Sequence, residues 1–198
     1  KPATPGCIIL SNHEGAGSPL TMELYGNLPV RFWGAHEMRE SFKTGYWYMT
    51  HIYYHKKKHW NLWLARLFCL IATPLVKMFY AGLDLIPTYP DIRLKKTLKQ
   101  SVAALEKGHT IVIFPEDSNN GYLKELTQFH QGAITFLKYC YKHNLDVPVY
   151  VAYYNRERKQ YIFDEPTGVD ALLGTGLSRA ELAEKLCNRC NELGKMEL

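Results

Sequence analysis

At 198 residues, with 46% hydrophobic and 22% charged side chains, the chain has the makeup of one globular domain with a packed core. Lys and Arg number 24 against 19 Asp and Glu, a formal +5 that suits anionic substrates or a lipid surface and is too weak to indicate nucleic acid. The 5 scattered cysteines form no disulfide framework and predict a reducing, cytoplasmic compartment. Cys187 and Cys190 make one CxxC in a helical pattern, but without a second pair or a neighbouring His no metal site is expected. The opening KPATPGC has no signal-peptide pattern and no initiator Met, so the numbering is expected to begin inside a longer gene product.

In chain order, GCIILS (6–11) reads as a short buried strand. Ser18-Pro19 predicts a helix start, with Ser18 as N-cap and Pro19 as first helical residue, ending near Gly26-Asn27. VRFWGA (30–35) and LDLIPT (83–88) read as the next two strands. In DIRLKKTLKQSVAALEKG (91–108), Leu94, Leu98, Val102 and Leu105 recur at helical spacing and Gly108 closes the pattern, which predicts an amphipathic helix. TIVIFPE (110–116) is a strand, QGAITFLKYCYKHN (131–144) a helix and VPVYVAYY (147–154) a strand. KQYIFDEP (159–166) is an edge or hairpin strand, and SRAELAEKLCNRCNEL (178–193) a terminal helix capped by Ser178. The alternation predicts a single α/β domain, its central sheet mostly parallel and flanked by helices.

The segment 46–82 breaks this rhythm. Its aromatic residues crowd a basic knot, His55-Lys56-Lys57-Lys58-His59, and an apolar helical run follows. Arg66 and Lys77 confine the charge-free stretch to residues 67–76, and Pro74 is expected to interrupt it. A membrane span needs about 20 residues, so a span is rejected. Two readings of this helical insertion stay open. One is a core helix pair with a solvated basic loop. The other is an interfacial element, with Trp and Tyr at the headgroups and lysines on anionic lipid, giving peripheral contact through 46–80 at the inner face of the membrane.

Two blocks carry chemistry. In ILSNHEGAGSPLTMEL (9–24), His13 stands at the exit of a strand and before a helix N-terminus, where it can act as a general base or simply be a loop histidine. Gly15-Ala16-Gly17 resembles the start of a dinucleotide loop, but the third glycine would fall at Leu20 and the fingerprint fails. In IVIFPEDSNNGY (111–122), Glu116, Asp117 and Ser118 follow a buried strand, at the end where open α/β sheets place their sites. The same residues also fit a polar turn.

Together, SNH, then FPED, then FHQGA (129–133), VPVYVAYY and IFDEP follow the order and spacing of the glycerolipid acyltransferase family, best known from the 1-acylglycerol-3-phosphate acyltransferases. The chain resembles that family from about Ile8 to its C-terminal helix. The resemblance implies transfer of a fatty acyl group from acyl-CoA or acyl carrier protein, as co-substrate, to a hydroxyl of a lipid-type acceptor, with neither cofactor nor metal. By the same resemblance His13 is the base, Glu116 holds the acceptor or the site loops, and Asn12 shapes the loop or contacts substrate.

The departures are specific. The family's NHxxxxD motif places an Asp where this chain has Ser18, so the usual partner of the imidazole is replaced by an uncharged group. FPEGTR becomes FPEDSN: Asp117 replaces Gly, Ser118 replaces Thr and Asn119 replaces Arg. The arginine that follows the family's IP strand is displaced, with Arg93 a turn later. These changes point to an altered acceptor. Ser118, Asn119 and Arg93 are the expected substrate contacts, and Asp117 either supplies the missing charge or forms an Asx turn. Two further readings stay open: a degenerate member that binds lipid or acyl carrier without catalysis, and a serine hydrolase using Ser118 or Ser18, which the absence of GxSxG disfavours.

Overall fold

Short runs of Ile, Val and Leu form the centre of the protein, in a computed structural model that describes residues 6–116 and 123–196. The strands β1 (Ile8–Ser11), β2 (Val30–Ala35), β3 (Ile86–Thr88), β4 (Thr110–Ile113) and β5 (Pro148–Asn155) pair in parallel in the spatial order β3-β2-β4-β1-β5. Two antiparallel strands, β6 (Gln160–Phe163) and β7 (Thr167–Gly168), join β5. At the centre, Ile8 sits opposite Ile111 on one side and Val149 on the other. β1 and β4 are buried throughout, as strands covered on both faces must be. The protein is thus an α/β fold with a mostly parallel sheet and flanking helices.

The two faces are unequal. The helices α1 (Gly17–Tyr25), α2 (Phe42–Trp47), α3 (Leu62–Gly82), α4 (Leu94–Glu106), α5 (Gln131–Lys142), α6 (Val169–Leu173) and α7 (Arg179–Lys195) complete the chain. One face packs Ile8, Leu10, Ile111 and Ile113 against Leu98 and Val102 of α4, Phe136 of α5 and Leu182 of α7. The other packs Ile9, Phe32, Val112 and Ala152 against Met22 of α1 and Leu85. The chain leaves β1 across β4 to reach β2, and leaves β4 across β1 to reach β5. These opposite departures open a crevice at the C-terminal ends of β1 and β4.

Between β2 and β3 the chain adds a short 3-10 turn (His36–Met38), α2, a ten-residue π-helix (Tyr48–Lys57) and α3. They enclose a small core of their own, in which Met38, Met49, Cys69 and Ala72 are buried.

Several expectations need correction. Ser18 is not an N-cap. The helix already begins at Gly17, the cap position is Ala16, and no side chain caps it. The buried Ser18 hydroxyl instead accepts the N–H of Glu14 at 2.8 Å. Pro74 does not interrupt α3, which runs through it for 21 residues; Pro74 and Leu70, one turn before it, both lie on the exposed side. By length and composition α3 is therefore long and apolar enough to cross a membrane, although Arg66 and Lys77 still bound its charge-free stretch. The strand expected at 83–88 shrinks to Ile86–Thr88 because Leu83 closes α3 and Asp84 takes a positive φ of 45°. Ser178 does cap the terminal helix, in a reciprocal capping box with Glu181. Cys187 and Cys190 are buried in the core, and their thiols donate to the carbonyls of Leu126 and Ala152.

Candidate active site

β1 delivers Asn12 and His13 to the crevice. The ladder with β5 ends at Ser11 and Ala152, and the Asn12 side chain extends it. Its Oδ1 accepts the N–H of Tyr154 at 2.6 Å and its Nδ2 donates to the Tyr154 carbonyl at 3.1 Å. Asn12 is fully buried, so the substrate contact expected of it gives way to a positioning role: it fixes the backbone from which His13 projects. One turn on, Ser18 holds the Glu14 N–H, and its own carbonyl accepts the hydroxyl of Tyr161 at 2.8 Å. Ser18 thus ties the far side of the His13 loop, as a brace for the loop rather than a charged partner for the imidazole.

The imidazole of His13 meets the ring of Phe114 edge-on, with centroids 4.7 Å apart. Phe114 in turn stacks with Phe32. Burial, and secondly the charge of Lys57, pull the His13 pKa down to about 4, so the ring is neutral at physiological pH. Glu116 lies just past the end of β4, where it bridges to Phe129, and is 8% exposed. Burial pushes its pKa up to about 7, Glu14 adds to this, and the backbone N–H of His13 and the Lys57 charge oppose it. Neither carboxylate oxygen completes a hydrogen bond among the described residues. A neutral imidazole and a carboxyl that keeps its proton well above the usual carboxylate range are thus held at neighbouring strand ends by a common desolvated setting.

His13 opens onto a cavity of about 510 Å³. Its walls are largely apolar, with Phe32, Met38, Val76, Leu83 and Phe114 among them, and His13, Lys57, Thr88 and His130 bring polar groups to it. The volume and lining suit a small apolar ligand held by few polar contacts. The insertion forms much of the wall. In the π-helix, residues four to five apart share a face because its i→i+5 bonds widen the turn, so Tyr48, Tyr53 and Lys57 follow one another along the cavity.

Of the sequence-predicted residues, His13 lines this cavity, Asn12 and Ser18 stand behind it as the frame of its loop, and Glu116 is buried outside the lining. Arg93 is not among the lining residues: its guanidinium is taken up by Asp91 at 2.8 Å, approaches Glu40 at 3.7 Å and stacks on Tyr89. Asp117, Ser118 and Asn119 lie outside the described residues. The sequence reading missed Lys57 and His130. His130 sits in the FHQGA block, where Phe129 pairs with Glu116 and so carries the next residue to the crevice. Lys57 had no distinguishing signal among three consecutive lysines.

A larger concavity, about 610 Å³ between β5 and α7, includes the ion-paired Asp164 and Arg189 and lies among residues apart from this chemistry. No protein-family model, no curated protein and no solved structure matches the chain.

Proposed function

We propose that the protein transfers a fatty acyl group from a thioester carrier, acyl-CoA or acyl carrier protein, to a hydroxyl of a lipid-type acceptor. The observation that carries this reading is a neutral histidine at the end of β1 facing an apolar, aromatic-walled cavity. In the proposed step the acceptor oxygen attacks the thioester carbonyl carbon while His13 takes the hydroxyl proton. The tetrahedral intermediate then collapses, the C–S bond breaks, and the imidazolium returns the proton to the departing thiolate.

A buried imidazole held near pKa 4 is a weak base until something offsets the cation it becomes. The oxyanion that develops beside it supplies that negative charge, and Lys57, on the same cavity wall, is the cation that would hold the oxyanion or an anionic acceptor group. Glu116 and Asn12 are positioning residues for the His13 loop.

A hydrolase built on Ser18 is disfavoured: its hydroxyl is fully buried and engaged with Glu14, and it does not line the cavity. The test is thiol release from acyl-CoA and from acyl carrier protein, with and without lysophospholipid or monoacylglycerol acceptors, for the wild type and His13→Ala. Acceptor-dependent release that disappears in His13→Ala is expected. Binding of donor without thiol release in any acceptor would leave a lipid-binding member without catalysis and end the enzymatic reading.

A further inference from the structure

α3 is packed inside out. Its buried side chains are all small, Ala65, Cys69, Ala72 and Thr73, with Val76 and Tyr80 half-buried towards its C-terminal end. The large apolar ones point away: Trp63, Leu67, Ile71 and Met78 are 75%, 69%, 73% and 70% exposed, with Leu64 and Leu75 beside them. Soluble helices put such side chains on the core face and leave polar ones outside. An exposed apolar stripe running the length of a 21-residue helix is far more than the scattered apolar residues of an ordinary surface.

The flanks supply the charge and the aromatic residues that a lipid boundary calls for. Trp47, Trp60 and Trp63 are exposed around the π-helix and the start of α3. Lys56 and Lys58 are exposed next to them, whereas Lys57 between them turns into the cavity. The basic knot thus splits, two charges outward and one inward.

The helix is also held so that it cannot turn to cross a bilayer without leaving the domain. Tyr46 donates its hydroxyl to the Arg66 carbonyl at 3.1 Å, and Lys77 donates to the carbonyls of Met38 (3.2 Å) and Glu40. Its inner face closes the small core with Met38 and Met49.

We infer that α3 lies in the plane of a bilayer, its outer face among the acyl chains and Lys56 and Lys58 on anionic headgroups. The same helix gives Val76, Phe79 and Tyr80 to the cavity wall, and Phe79 is both lining and 41% exposed. The wall between bilayer and cavity is there one side chain thick, so the lipid acceptor reaches His13 from the membrane side. This access route rests on the acyl-transfer reading; the seating of α3 does not.

Flotation with vesicles of phosphatidylcholine, alone or mixed with phosphatidylglycerol, tests the seating on the full chain, with tryptophan emission as a second readout. The wild type should float with the mixed vesicles and its emission should shift to the blue. Leu67→Ser/Ile71→Ser/Met78→Ser should lower partitioning by at least about a hundredfold, given three apolar side chains withdrawn from lipid. Lys56→Gln/Lys58→Gln should lower it about thirtyfold, on the anionic vesicles alone.

No flotation of the wild type overturns the seating, as does equal flotation of the triple Ser variant. A wild-type dimer by sedimentation that the triple variant loses, without vesicle binding, assigns the face to a second copy instead. Resistance to alkaline carbonate would make α3 a span and refute the in-plane placement. Thiol release from a soluble donor separates the two readings. If it persists without vesicle binding, only the seating fails; if vesicles bind and no thiol is released, only the acyl-transfer reading fails.

Discussion

In the sheet, size and burial go together: Ile8, Ile9, Leu10 and Ile111, with Phe136 of α5 against them, are fully buried, and no large apolar side chain of the described strands is exposed. On α3 the relation reverses. Ala65 and Cys69 are fully buried there while Leu67, Ile71 and Met78 stand in the open. Both regions are rich in apolar residues, so composition does not tell them apart. The difference lies in which way the large side chains face. The sheet excludes water by closing on itself; α3 needs only enough small side chains inside to come close to the domain, and in the seating proposed above its large ones meet a second apolar phase. The cavity lies between the two regimes, with His13 from the first and Lys57 from the π-helix that precedes the second.

Mutations placed on either side of this divide should behave differently, and the largest effect should fall on the chemistry. His13→Ala should slow acceptor-dependent thiol release about 10²- to 10⁴-fold, the usual span for loss of a general base, with a thermal midpoint close to wild type because a loop side chain is removed. A clean variant with normal turnover sinks the base assignment.

Removing bulk from the sheet core comes next. Phe136→Ala should cost about 3–5 kcal/mol in denaturant unfolding, by lost burial and a residual cavity. A cost under about 1 kcal/mol would mean that α5 is less firmly packed than its burial indicates.

The site's two perturbed groups give opposed pH signatures. Glu116, whose folded pKa of about 7 is above its ordinary value of 4.5, makes stability fall as pH rises between those values, because the unfolded chain gives up the proton first. His13, lowered from 6.5 to about 4, makes stability fall as pH drops through that window, because the unfolded chain binds the proton first. The slopes offset one another from about pH 4.5 to 6.5 in the wild type. His13→Ala should therefore lose about 2–3 kcal/mol between pH 4.5 and 7, and Glu116→Gln should gain a similar amount between pH 4 and 6.5. Parallel curves for the two variants contradict the shared desolvation of the site.

On the insertion the signs invert. Adding bulk inside, as in Ala65→Leu, should cost about 1–3 kcal/mol by overpacking. Removing it outside, as in Leu67→Ser, should leave stability within about 0.5 kcal/mol of wild type, while lipid binding weakens. A large loss of stability in Leu67→Ser would show the outer face to be covered in the free protein, and the contrast between the two regions would collapse.

Much of the frame was readable from local pattern. Buried strands declared themselves through Ile and Val runs, α4 through Leu94, Leu98, Val102 and Leu105, and the start of α7 through Ser178 with Glu181 three residues on. Each of these signals involves residues within a turn or a strand of one another, so one stretch of chain fixes them. The order of the SNH and FPED blocks also brought His13 and Glu116 to adjacent strand ends, since β1 and β4 pair directly.

Other features depended on partners distant in the chain. Ser18 has the local pattern of a cap, yet its hydroxyl goes to Glu14 because the loop is already held by Asn12 on β5 and by the Tyr161 hydroxyl. Of the two roles open to Asn12 in the sequence, the structure fits the loop-shaping one, since the β1–β5 pairing puts the Tyr154 backbone opposite its amide. Three lysines in a row were equivalent in sequence; the π-helical winding sends one into the cavity and leaves its neighbours in solvent. Which face of α3 meets the domain was decided by the small core of Met38, Met49, Cys69 and Ala72, which draws in the smallest side chains because they allow the closest approach. The sequence set the elements and the chemistry available to them; tertiary packing chose which side chains faced the core, the cavity and the outer surface, because those are properties of the space between elements.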